Sequence, residues 1–197
     1  MLILASSSPR RQELLRSAGI AFTVQPADIS EIPREGELPR PFAERVAREK
    51  ALAVFTQRPT DFVLGADTIV VVNGQILGKP RDGADAARML RLLSSRRHEV
   101  TTAVCLLGPS TRSAEPNPGF EDVRSETTFV TVKSLEEEDV LGYVVSGEPM
   151  DKAGAYAIQG WASRWIAKVE GDYSNVVGLP LELVKRMLHE HGVIAED

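Results

Sequence analysis

Apolar positions first cluster at residues 2–5, a run short enough for a buried strand, and Ser6-Ser7-Ser8-Pro9 ends it. Ser8 is placed to cap a helix and Pro9 to open it. Leu14, Leu15 and Ala18 then share one face, and Gly19 marks the stop. Residues 28–41 are polar, contain Pro33 and Pro39, and predict a mobile loop before a helix over residues 42–57. The strongest strand signal covers residues 61–72, with Asn73-Gly74 as the turn of a hairpin. An amphipathic helix is predicted over residues 82–94 and a strand over 99–107. Residues 108–125, with Pro109, Pro116 and Pro118, predict a long exposed loop between antiparallel strands, the second over 126–132. A helix over 135–145, a strand over 164–169 and a closing helix over 180–191 complete the pattern, with no internal repeat. Strands and helices mix without strict alternation, which predicts an α/β or α+β chain: a mixed sheet flanked by helices.

Three positions break this pattern. Arg10 and Arg11 fall in the first turn of the first helix, where the helix dipole disfavours cations by a few tenths to about 1 kcal/mol. Either they are solvated at small cost, or an anion sits at this helix end among free N–H groups, serine hydroxyls and guanidinium forks. Lys50 falls on the apolar stripe of Phe42, Val46, Ala53 and Val54. Such a lysine either snorkels to the edge or aims its amine into a pocket that takes an anion. Asp67 interrupts FVLGADTIVVV, a run apolar enough to be buried on both faces. An isolated buried carboxylate costs several kcal/mol, roughly, so it is paired with a buried cation, bound to a metal, or held as a proton acceptor. Gly65 beside it permits close approach of another group, and Thr68 adds a hydroxyl.

Length and charge narrow the class. The 197 residues fit one domain, or two lobes sharing one sheet, with a sizeable core. The composition, 43% hydrophobic and 26% charged, is that of a soluble globular protein. A net charge of −5 argues against a general nucleic-acid or anionic-membrane binder, though not against one small anion in a local basic pocket. Cys105 is the single cysteine, so no internal disulfide forms. The start MLILASSSPRR lacks the charged and apolar regions of a signal peptide, and no run reaches the roughly 20 apolar residues of a membrane span. A cytoplasmic location is expected. His98, His189 and His191 lack zinc-site spacing, and neither a P-loop nor a GxSxG motif is present.

Five segments in order, ASSSPRRQELL, REKA around Lys50, GADT around Asp67, GKP around Lys79 and DKAGAYAIQG from Asp151, resemble the Maf family of nucleoside triphosphate pyrophosphatases. YSNVVGLPLELV from Tyr173 resembles that family's C-terminal stretch, so the likeness spans residues 1–197 as a single Maf-like domain. It implies a fold similar to the inosine triphosphate pyrophosphatases, with two lobes around a cleft that takes a triphosphate and a divalent metal, Mg2+ or Mn2+. On this resemblance Asp67 accepts the proton of the attacking water, with Glu31, Lys50 and Lys79 in the catalytic set. Ser8, Arg11, Lys50 and Lys79 match phosphate-binding and charge-neutralising positions. Glu31, with Asp67, matches the carboxylates that hold metal or water. The family's DIDE loop motif reads DISE here, with Ser30 where an aspartate is common, which leaves a second loop ligand unsupported. Arg10, Thr68 and Gln159 match the positions that sort substrates by base, in the pattern of the subgroup preferring dTTP and UTP. The 7-methyl-GTP subgroup usually has tryptophan, glutamine and glutamate there. The same resemblance carries a second reading, a nucleotide-sensing regulator of septum formation that binds without turnover. A nucleoside triphosphate is thus the expected partner, neither nucleic acid nor membrane is, and a homodimer is left open.

Overall fold

A computed structural model describes residues 1–110 and 117–195 of the chain. In chain order the elements are β1 (Leu2–Leu4), α1 (Pro9–Ser17), β2 (Thr23–Val24), α2 (Pro39–Phe55), β3 (Phe62–Val72), β4 (Gln75–Leu77) and α3 (Gly83–Leu93). There follow β5 (Arg97–Pro109), β6 (Pro118–Val132), α4 (Glu137–Val145), three short 3-10 turns, β7 (Ile166–Glu170), α5 (Tyr173–Val177) and α6 (Leu181–Glu190). The sheet runs β2-β1-β3-β5-β6-β7, with β4 hairpinned onto β3. β1 pairs parallel with β2 and β3, while β3–β4 and β6–β7 pair antiparallel, so the sheet is mixed as expected. No helix among the described residues is long and apolar enough to cross a membrane.

The chain forms two compact units, and β3, β5 and β6 each contribute to both. The first unit holds Met1–Asp67, Thr102–Glu126 and Gly178–Asp197. In it Leu2, Leu4, Leu64 and Ala66 pack with Leu15 of α1 and Leu183, Val184, Met187 and Leu188 of α6. Strand alternation turns Gly65 and Asp67 to the opposite face, where α2 lies. There a Cβ on Gly65 would sit 2.2 Å from the Ala47 carbonyl oxygen and 2.8 Å from the Ala51 nitrogen. Helices therefore cover both faces of the strands. The second unit, Thr68–Thr101 and Thr127–Val177, has its own core of α3, α4, the ends of β3, β5 and β6, Tyr156 and Trp165.

Local rules account for most boundaries. Gly19 takes a left-handed φ of 70° and closes α1, with Ile20 N–H donating back to Leu15. Asn73 and Gly74 both have positive φ, 51° and 75°, as the tight hairpin requires. Asp82 caps α3 by accepting from the Asp85 N–H at 2.8 Å. Three expectations need correction. The long loop of residues 108–125 is mostly strand: β5 runs to Pro109 and β6 starts at Pro118. The prolines that suggested a loop sit at strand ends, where a missing N–H is tolerated. Gly108 leaves room for the Phe120 ring, which a Cβ would approach to 2.1 Å. Pro116 and the rest of residues 111–116 lie outside the described residues. α2 begins at Pro39 rather than Phe42, because proline is tolerated in a first helical turn. Ser8 occupies the N-cap position of α1, but its side chain makes no capping bond.

Candidate functional site

Asp67 lies in the middle of β3, a strand with neighbours on both sides. It is 6% exposed, and the lysine of the apolar stripe meets it. Lys50, itself 7% exposed, does not snorkel. Its Nζ donates to Asp67 Oδ1 at 2.8 Å and pairs with Glu31 Oε1 at 2.7 Å. The absence of a side chain at Gly65 brings the α2 backbone close enough to β3 for this reach. Burial raises the Asp67 pKa, and Lys50 and Arg11 pull it back without cancelling the rise.

Arg11 is the second buried cation. Its Nε donates to the Gly178 carbonyl at 2.8 Å, and Nη1 donates to the Ala66 carbonyl at 3.0 Å and to Ser6 Oγ at 3.1 Å. Ser6 Oγ also accepts from the Ser8 N–H at 3.3 Å, so one hydroxyl joins the helix entrance to the guanidinium. Desolvation lowers the Arg11 pKa, while the fields of Asp67 and Glu31 hold its charge. The first turn of α1 contains no acidic residue. Ser8 and Arg10, half-buried, stand at the same helix end.

Glu31 comes from residues 25–38, which contain no helix or strand. Lys50 thus contacts both Glu31 and Asp67, and Arg11 joins them through the Ala66 carbonyl beside Asp67. The remaining expected residues belong to the second unit. Thr68 follows Asp67 on β3 and so faces the other side of the strand. Lys79 is exposed in a loop whose Gly78 carbonyl accepts from the Gly154 N–H at 3.1 Å. That bond gives the DKAG turn a role as the support of the lysine loop. Gln159 is exposed after the buried run Tyr156, Ala157 and Ile158, and before Gly160 with its φ of 77°. Sequence reasoning missed Ser6 and Gly178 as partners of Arg11. Ser6 sits in the serine run already singled out, but Gly178 lies 167 positions from Arg11 and offers only a carbonyl.

Asp67 and Glu31 converge on one cation, the Lys50 ammonium. Among the described residues no cluster of three or more histidine, cysteine or acidic side chains could hold a metal. Asp67 and Glu31 are a pair, below that number, and their oxygens are donors of the kind that hard divalent ions take, one or two carboxylates at a time with water and phosphate oxygens completing the shell.

Residues 1–191 match the family profile described as Maf-like protein. The dTTP/UTP pyrophosphatase of Koribacter versatilis (strain Ellin345) is 54% identical over 193 residues, covering 98% of this chain and 95% of the relative. Those of Symbiobacterium thermophilum and of Anaeromyxobacter dehalogenans (strain 2CP-1) are 51% and 50% identical, each over 191 residues, 97% of this chain and 94% of the relative. Among solved structures, the Staphylococcus aureus Ham1 protein aligns over 96% of this chain and 98% of its own, at 15% identity and a TM-score of 0.49.

Proposed function

The chain belongs to the Maf-like family, and we propose that it is a nucleoside triphosphate pyrophosphatase that cleaves dTTP and UTP between the α and β phosphates. The observation that carries this is the buried Lys50 ammonium held between Asp67 and Glu31, with the Arg11 guanidinium on the adjoining Ala66 carbonyl. A triphosphate repels an attacking oxygen nucleophile, so its charge must first be neutralised. Arg11, Lys50 and Lys79 supply fixed positive charge to the phosphates, and Ser8 and the uncapped α1 entrance supply hydrogen-bond donors. Asp67 and Glu31 would hold Mg2+ or Mn2+, which supplies further charge neutralisation when bound.

Asp67 orients a water molecule and takes its proton as the water oxygen bonds to the α phosphorus. The bridging bond to the β phosphate breaks, releasing pyrophosphate and the nucleoside monophosphate. A carboxylate whose proton affinity is raised by burial is the better acceptor for this step. Arg10, Thr68 and Gln159 are the proposed readers of the base. The Gln159 amide offers both a donor and an acceptor, matching the edge of a uracil-type base. Modified pyrimidine triphosphates are within the same substrate class, and their hydrolysis would make this an enzyme that cleans the nucleotide pool, with the cytoplasm as its proposed location. Neither nucleic acid nor a membrane is called for.

The test is purified protein with Mg2+ or Mn2+ and a panel of normal and modified triphosphates, with products separated by ion-exchange chromatography. Pyrophosphate with dTMP or UMP is expected, and chelation of the metal stops it. Intact triphosphates throughout would overturn the proposal, and tight binding without product would point instead to a nucleotide sensor in septum formation.

A further inference from the structure

Glu31 stands on a segment that little apolar packing holds: Ile32, the next residue, is 72% exposed. What holds the segment is polar and comes from α2. Arg45 grips both carboxylate oxygens of Glu37, Nε to Oε1 at 2.7 Å and Nη2 to Oε2 at 2.8 Å. The same Nη2 donates to the Ile32 carbonyl at 3.1 Å, one residue from Glu31. Nη1 is shared by the two oxygens of Glu49 at 3.1 and 3.2 Å, and the guanidinium carbon lies 5.4 Å from the Phe42 ring centroid. Arg34 extends the pattern by pairing with Glu49 at 3.2 Å.

This cluster differs from the chain's ordinary surface pairs. The Arg45 and Glu37 side chains are 15% and 12% exposed, whereas Arg40 and Glu44 nearby are 69% and 28% exposed. The bidentate bond to Arg45 holds the Glu37 carboxyl down to about 2. A fork of this kind fixes direction as well as distance, which a lysine in the same place would not. The need for such an anchor follows from Glu31's own task. A carboxylate that pairs with Lys50 and would also hold a metal ion must be kept in place by its backbone.

We propose that Arg45 is a positioning residue: by holding the Ile32 carbonyl and the Glu37 carboxylate it fixes Glu31 beside Asp67. This rests on Glu31 serving the hydrolytic site. The groups that orient a ligand typically change metal affinity or activity by about 10- to 100-fold when removed. Arg45→Ala and Arg45→Lys are therefore each expected to weaken Mn2+ binding, titrated without nucleotide, and to lower kcat by about 10-fold or more. In a Glu31→Gln background the further change from Arg45→Ala is expected to shrink below about 2-fold, because contacting residues acting through one group are not additive. Glu37→Gln, which leaves Arg45 in place, moves the same readouts in the same direction and serves if Arg45→Ala does not fold. An Arg45→Ala loss undiminished in the Glu31→Gln background, or full rescue by lysine, overturns the positioning role. A wild-type protein that hydrolyses no triphosphate defeats the functional reading alone, since the Mn2+ titrations still decide the role of Arg45. Glu31→Gln protein that binds Mn2+ like the wild type overturns both.

Discussion

Asp67 and Lys50 hold each other across 2.8 Å between β3 and α2, with side chains 8% and 9% exposed. The two partners are not equivalent. Burial dominates at Asp67 and raises its pKa despite the lysine, so ionised Asp67 costs the ligand-free fold more than its ion pair returns. Asp67→Asn is therefore expected to keep or raise the melting temperature while lowering kcat by about 10²- to 10⁴-fold, the range of a lost general base. Lys50→Met leaves Asp67 and Glu31 without their shared cation and should cost about 3 kcal/mol or more, roughly 6–12 °C in Tm. Thermal melts and steady-state kinetics of the two variants check this. Full activity in Asp67→Asn would remove the residue from the chemistry, and equal melting losses would show that the pair stabilises the fold.

Gly65→Ala tests how the pair is brought together. The added methyl would meet backbone atoms, Ala47 O at 2.2 Å and Ala51 N at 2.8 Å, which cannot rotate away. α2 must move off β3, at a cost of about 1–3 kcal/mol typical of overpacking. Because the displaced helix carries Lys50, kcat is expected to fall along with Tm. A variant that melts earlier yet turns over at the wild-type rate would separate the packing from the site.

His98 gives the fold an acid-sensitive element. It is 2% exposed, lies 2.7 Å from the Tyr156 hydroxyl through Nε2, and burial pushes its pKa down from 6.5 to about 4. The unfolded chain thus takes up a proton near pH 6.5 that the folded chain refuses until near pH 4. Stability attributable to this group is full above pH 6.5 and is lost as pH falls through that window, in total about 3 kcal/mol. Chemical denaturation at a series of pH values should show this slope, and His98→Gln should flatten it. An unchanged slope in the variant would place the acid sensitivity elsewhere.

These relationships differ in how far they can be read from sequence. Asp67 and Lys50 stood out because each breaks an apolar pattern, and a broken pattern is visible without coordinates. Their partnership, and the choice between snorkelling and inward Lys50, depended on the approach of α2 at Gly65. Arg45 and Glu37 sit on an exposed-looking stretch of ordinary charges, and only their eight-residue separation across a loop and a helix end makes them a clamp. The β5–β6 region misled because its prolines are turn signals locally, whereas the pairing partner that tolerates them at strand ends is set by the sheet. β2 and α5, two and five residues long, are too short to carry a periodic signal.

The DKAG turn shows the same dependence and supports a last prediction. Gly154 has a φ of 68°, its N–H donates to the Gly78 carbonyl at 3.1 Å, and a Cβ there would meet three carbons of Val70 at 3.0 Å. The left-handed backbone alone costs an alanine about 1–2 kcal/mol, and Val70 at 3% exposure has little room to yield. Gly154→Ala is expected to lower Tm by about 2–8 °C. Since the bonded carbonyl precedes Lys79, the variant should also weaken the phosphate contact that Lys79 is proposed to make, raising KM for the triphosphate or lowering kcat. A double-mutant cycle separates the two effects. In a Lys79→Ala background the kinetic penalty of Gly154→Ala should largely vanish, while the loss in Tm persists. A kinetic penalty of equal size in both backgrounds would show that the turn supports the fold without serving Lys79.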